Sequence, residues 1–116
     1  MSQCLASPPN VPCIDVQTLQ AQLHSAKPPL LLDVREDHEL ALCALPNAVH
    51  IPMARLSFDW EAKLPTNQAI VVYCHKGGRS AMATTFLQRR GLTQAVNLTG
   101  GIDAWAAIIA PEMARY

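Results

Sequence analysis

Residues 71–82 read VVYCHKGGRSAM, so the thiol of Cys74 ends an apolar run and is followed at once by His75, Lys76, Gly77, Gly78, Arg79 and Ser80. A cysteine that only fills a core has no use for such neighbours. A cysteine that reacts does, because the thiolate is the nucleophile and nearby cations and inward-pointing amides stabilise it. Glycine tolerates positive φ, so Gly77 and Gly78 can let successive backbone N–H groups curl into an anion-binding nest. A helix beginning near Ser80 would aim its positive end at the same place. Lys76, Arg79 and His75 add local charge that favours an anionic substrate beside the sulfur. The stretch predicts nucleophilic chemistry on a negatively charged substrate. The alternative is an inert buried cysteine followed by a glycine turn.

Such a loop needs elements to hold it, and the flanking sequence supplies them. Asp15 can cap a helix whose apolar positions Val16, Leu19 and Leu23 share one face. Residues 30–34 (LLLDV) and 69–73 (AIVVY) are apolar runs of the kind found in strands covered on both faces. A short helix is predicted over 37–42, a strand over 48–51, and irregular helical turns over 53–64 carrying Leu56, Phe58 and Trp60. After the loop, Met82, Ala83, Phe86 and Leu87 form a helical apolar stripe. Gly91 suits the left-handed position that ends that helix, with Leu92 placed to touch Leu87 in a Schellman cap. A strand over 95–98 and a helix around Trp105, entered through Gly100-Gly101, complete the chain. Strands alternating with helices at this spacing predict an α/β fold, an open parallel sheet with helices on both faces. Cys74 then lies at the carboxyl end of a central strand, where open sheets bind their ligands.

Composition bounds the remaining possibilities. With 116 residues, 50% hydrophobic and 16% charged, the expectation is a single domain over 13–116 behind a flexible arm over 1–12. Nine basic and nine acidic residues cancel, which leaves no field for nucleic acid or a membrane surface. No signal peptide and no membrane-spanning run is evident, so a cytoplasmic location with reduced thiols is expected. Cys4, Cys13, Cys43 and Cys74 show neither C-x-x-C pairing nor zinc spacing with the histidines, so neither a disulfide framework nor a metal is expected. A monomer is expected, because no long exposed apolar stripe is visible.

The stretch from Cys74 to Ser80 resembles the C-x-x-G-x-R-S loop of rhodanese-type sulfurtransferases. Residues 31–36 (LLDVRE), 46–52 (PNAVHIP) and 100–105 (GGIDAW) resemble that family's other motifs, in the same order along the chain. Where the family often has Gly-His-Ile before the proline turn, this chain has Cys43-Ala44-Leu45. The resemblance implies a rhodanese-like fold and a sulfur relay. The Cys74 thiolate would take the sulfane sulfur of a small anionic donor such as thiosulfate, or of a persulfide. It would hold that sulfur as a persulfide and pass it to cyanide, a thiol or a protein cysteine. His75, Lys76, Gly77, Gly78, Arg79 and Ser80 would bind substrate, with no metal or organic cofactor. Asp33 and Arg35 would support the site, Asp33 by accepting hydrogen bonds from the loop and Arg35 by pairing with Glu39 at helical spacing.

Two alternatives stand beside the relay. Cysteine-dependent phosphatases and arsenate reductases also seat an anion over a thiolate, but in the phosphatases the arginine comes one position further on. The shorter loop here suits a single sulfur better than a tetrahedral phosphate. The other alternative is a rhodanese-fold binding module without catalysis. Trp60, Trp105 and His50 are read as packing residues, and Met53, Arg55 and segment 56–60 as pocket walls that select the donor and acceptor.

Overall fold

The computed structural model describes residues 10–116, so Cys4 and the start of the expected arm lie outside the described residues. Ten elements follow in order: β1 (Cys13–Ile14), α1 (Val16–Leu23), β2 (Leu30–Asp33), α2 (Asp37–Leu40), β3 (Val49–His50), α3 (Met53–Lys63), β4 (Ile70–Tyr73), α4 (Gly78–Arg89), β5 (Ala95–Leu98) and α5 (Gly101–Ile108). The strands form one parallel sheet in the order β1-β5-β4-β2-β3. The central strand β4 is buried at every residue, which is why it reads as a continuous apolar run.

Because successive strand residues face opposite sides, the sheet divides the core in two. Leu32, Ile70, Val72 and Cys74 pack with Leu56, Ala83 and Leu87 of α3 and α4. Leu31, Val71, Tyr73 and Leu98 pack with Leu19, Ile102 and Trp105 of α1 and α5. Cys74 and the partly buried Cys43 belong to opposite layers.

Local chemistry sets the boundaries. The Thr18 amide donates to Asp15 Oδ1 at 2.8 Å, which starts α1 as expected. Gly91 sits at φ 96°, and the Leu92 amide donates to Leu87 O at 3.0 Å, the bond that defines the Schellman cap. Three expectations change. Residues 53–63 form a regular helix rather than irregular turns. Met82 is 67% exposed, so the buried face of α4 is carried by Ala83, Leu87 and the partly buried Phe86. Cys13, expected as a free thiol, is disulfide-bonded. No helix among the described residues is long and apolar enough to cross a membrane.

Candidate active site

The loop between β4 and α4 gathers donors around one sulfur. Gly77 takes φ 111°, and its amide donates to Cys74 Sγ at 3.1 Å. The Ser80 amide, in the first turn of α4, donates to the same sulfur at 3.4 Å. Only the first glycine is left-handed: α4 begins at Gly78, two residues earlier than predicted, which brings the Ser80 amide into reach. Ser80 Oγ stands 3.3 Å from the sulfur while donating to Asn97 Oδ1 at 2.6 Å. Either atom of that contact can donate: with its hydrogen turned to Asn97, Ser80 Oγ can accept a hydrogen bond from the thiol, and turned back it can donate one to the sulfur. Cys74 itself is 1% exposed, so a reagent must approach through the loop rather than across an open surface.

Two supports of this loop were not read from the sequence. Asn97, buried on β5, accepts from Ser80 and donates through Nδ2 to Gly77 O at 3.3 Å. A polar residue inside the buried strand AVNL was the available signal, because a buried amide needs partners. The second support is the start of α5. Its Ile102 and Asp103 amides donate to the carbonyls of Cys74 and His75, each at 3.0 Å. Helix α5 can come this close because Gly101, at φ 59°, has no side chain to meet those carbonyls.

The charged residues separate into distinct tasks. Arg35 is fully buried and pairs with Asp33, whose carboxylate accepts its Nη2 at 2.7 Å and its Nε at 3.0 Å. Burial alone would lower the Arg35 pKa, but the Asp33 hydrogen bonds outweigh it and hold the guanidinium charged. Asp33 therefore serves Arg35 and not the active loop. Arg35 meets only the Glu39 carbonyl, at 3.4 Å, so the expected Arg35–Glu39 surface pair does not form. The Glu39 carboxylate instead takes Arg79 in a two-pronged pair at 2.6 and 2.9 Å. That pair holds the Glu39 carboxyl well below the usual carboxylate range and raises Arg79. Lys76 is exposed and makes no ion pair among the described residues, so its ammonium is open to a ligand. The His75 ring stacks on Tyr116, centroids 3.8 Å apart and planes within 9°. His50 is satisfied as expected, its Nε2 2.7 Å from Arg35 O.

The depressed Glu39 pKa has a consequence for stability. A carboxyl whose folded pKa lies below its unfolded value of about 4.3 contributes stability above that pH and loses it as pH falls further. Glu39 is 6% exposed, but the Arg79 side chain is 38% exposed, so solvent weakens the pair. We expect Glu39→Gln to cost about 1–2 kcal/mol at pH 7 after that discount. In urea titrations the gap to wild type should shrink as pH falls below about 4, where the unfolded carboxyl gains its proton. A gap constant with pH would mean that the carboxylate charge is not what stabilises.

The Rhodanese-like domain family matches residues 15–108, which takes in every strand but β1, the loop and the whole of α5. The chain belongs to the rhodanese-like domain family. A protein of Allochromatium vinosum named sulfurtransferase is 35% identical over 103 residues, covering 85% of this chain and 95% of that protein. A Mycobacterium tuberculosis probable adenylyltransferase/sulfurtransferase, MoeZ, is 36% identical over 89% of this chain, which spans only 26% of that longer protein. Among solved structures, a rhodanese-like domain protein of Staphylococcus aureus superposes with TM-score 0.77 at 34% identity, covering 82% of this chain and 91% of that one. The human single-domain sulfurtransferase superposes with TM-score 0.74 at 26% identity, covering 85% and 98%. This rhodanese-like domain thus has sulfurtransferases among its relatives, and its motif residues surround one buried sulfur.

Proposed function

We propose that this rhodanese-like domain is a sulfurtransferase that carries sulfane sulfur on Cys74. The observation that supports the reading most directly is the sulfur itself, which accepts the amides of Gly77 and Ser80. Donors fixed before reaction stabilise charge without reorganising. In the first step the Cys74 thiolate attacks the outer sulfur of thiosulfate. The new S–S bond forms as the old one breaks, and sulfite leaves with the bonding pair. In the second step a cyanide ion or thiolate attacks the terminal sulfur of the Cys74 persulfide and regenerates the thiolate. A persulfide donor would react in the same way, with a thiolate leaving. Two displacements through a covalent enzyme form predict ping-pong kinetics.

Substrate binding is assigned to the remaining residues of the loop. Lys76 attracts the anionic donor, while Gly77, Gly78 and Ser80 line the seat of the transferred sulfur. Arg79 contributes its field, since its hydrogen-bonding fork is given to Glu39. His75 sits within the loop and turns its ring to Tyr116.

The test is a panel of donors and acceptors. Reduced protein incubated with thiosulfate should gain one sulfur atom on the peptide bearing Cys74, cyanide should remove it, and aryl phosphates should not turn over. Absence of the adduct with every sulfur donor would favour a binding module, and robust phosphatase turnover would favour the phosphatase reading. Within the same panel, Lys76→Ala should lower kcat/KM for dianionic thiosulfate about tenfold, the worth of one charge-assisted contact. A neutral or singly charged donor should lose less. Equal losses would mean that Lys76 shapes the loop instead of reading donor charge.

A further inference from the structure

Tyr116 reaches both flanks of the loop, one directly and the other through Glu39, and neither the motifs nor the proposed chemistry uses it. Its ring lies flat on His75, the residue directly after the nucleophile. Its hydroxyl donates to Glu39 Oε2 at 2.5 Å, and Glu39 holds Arg79, which closes the loop at its other end. The same hydroxyl accepts from Arg35 Nη1 at 3.0 Å, which ties it to the end of β2. Burial and the Glu39 carboxylate push this phenol up to about 12, so it remains a donor at neutral pH. The neighbouring residue is fixed as well, because Arg115 Nε donates to Asp103 Oδ1 at 3.1 Å. Asp103 belongs to the first turn of α5, whose amides grip the Cys74 and His75 carbonyls.

His75 depends on this arrangement. Its Nε2 is buried and has no hydrogen-bond partner, so no polar contact at that atom fixes the ring. The ring is set by stacking, a contact that confers geometry with little directional bonding.

We propose that Tyr116 is a positioning residue of the sulfur-carrying loop, acting through the face of its ring on His75. The stack holds the His75 backbone against α5, and that in turn keeps the Gly77 and Ser80 amides aimed at sulfur. The phenolic hydroxyl seats the ring. This inference adds a residue to the proposed sulfur transfer and rests on that reading only for its kinetic readout.

Two substitutions separate the parts. Tyr116→Ala removes ring and hydroxyl, and Tyr116→Phe keeps the ring. In Tyr116→Ala, kcat for sulfur transfer should fall about tenfold with little change in KM for donor, because misplacement of fixed donors acts on the reacting step. Tyr116→Phe should stay within about threefold of wild type, since only the hydroxyl contacts are lost. Two NMR readouts do not depend on transfer. The His75 ring protons should lose their upfield stacking shift in Tyr116→Ala and keep it in Tyr116→Phe. Amide exchange at Gly77, Ile102 and Asp103 should accelerate at least tenfold in Tyr116→Ala, with the amides of β4 unchanged.

If no variant or wild type transfers sulfur but the exchange pattern holds, the functional reading fails and the positioning role stands. The positioning role is overturned if exchange and turnover are unchanged in Tyr116→Ala. It is also overturned if Tyr116→Phe is as impaired as Tyr116→Ala, or if exchange rises equally across the sheet.

Discussion

Cys74→Ser should lower sulfur transfer on the order of 10³-fold or more, the scale of losing a covalent nucleophile. A serine hydroxyl can occupy the same seat below the Gly77 and Ser80 amides, but it does not ionise near neutral pH and cannot carry a second sulfur. The fold should survive, since one buried atom changes within a site already lined by hydrogen-bond donors. Thermal unfolding within a few degrees of wild type would show that turnover is lost for chemical reasons.

The informative comparison is Cys43→Ser. Cys43 packs among Tyr73, Leu98 and Ile102 on the α1/α5 side of the sheet, and Cys74 packs on the α3/α4 side. Cys43 lies off the loop whose Gly77 and Ser80 amides seat the Cys74 sulfur. Cys43→Ser should therefore keep both adduct and turnover within about twofold, as expected of a substitution outside the reacting set. An adduct on Cys43 that turnover required would replace the single-thiol route by a two-thiol relay.

What could be read from the sequence was what neighbours in sequence decide. The Cys74–Ser80 loop is local: its sulfur and its left-handed glycine lie within four consecutive residues, so spacing alone exposed them, while the helix start at Gly78 was placed two residues late. The Schellman cap at Gly91 and the Asp15 cap were legible for the same reason. The errors lie where distant residues compete with near ones. Arg35 and Glu39 have helical spacing, but Arg35 lies just beyond the end of β2, within reach of Asp33 two residues before it. Glu39 is thereby left for Arg79, forty positions away in sequence. Tyr116 is 81 positions from Arg35, and no periodicity could join them. The two-residue strand β1 exists only through its pairing with Asn97 and Leu98 of β5, so it carries no pattern of its own. The second expected left-handed glycine failed for a simpler reason. Gly78 is the first residue of α4 and has an ordinary backbone.

Gly101→Ala should impair the loop more than any other single methyl group added at the described glycines. A Cβ there would lie 2.5 Å from His75 O and 2.6 Å from Cys74 O, distances that real Cβ atoms do not show. Both neighbours are backbone carbonyls already bonded to the Ile102 and Asp103 amides, so neither can swing aside. The residue also sits at φ 59°, where a side chain costs roughly 1 kcal/mol. Helix α5 must retreat, and the loop it grips must follow or lose its two hydrogen bonds. We expect stability to fall by about 2–4 kcal/mol, as for other overpacked backbone contacts. In protein that remains folded, turnover should drop on the order of 10²-fold, because displacements near an ångström at a reacting centre have that effect. Gly100→Ala supplies the contrast. Its Cβ, at φ 79°, would meet the Ala104 side chain at 2.5 Å, a clash within α5 that spares the loop carbonyls. It should destabilise to a similar degree and cost far less turnover per folded molecule. Gly78→Ala, with nothing within 4 Å of its added Cβ, should leave stability nearly unchanged. Measuring kcat beside the unfolding midpoint for all three variants separates the two effects. If Gly101→Ala kept turnover within about threefold while folded, the contact between α5 and the loop would not be what places the reacting sulfur.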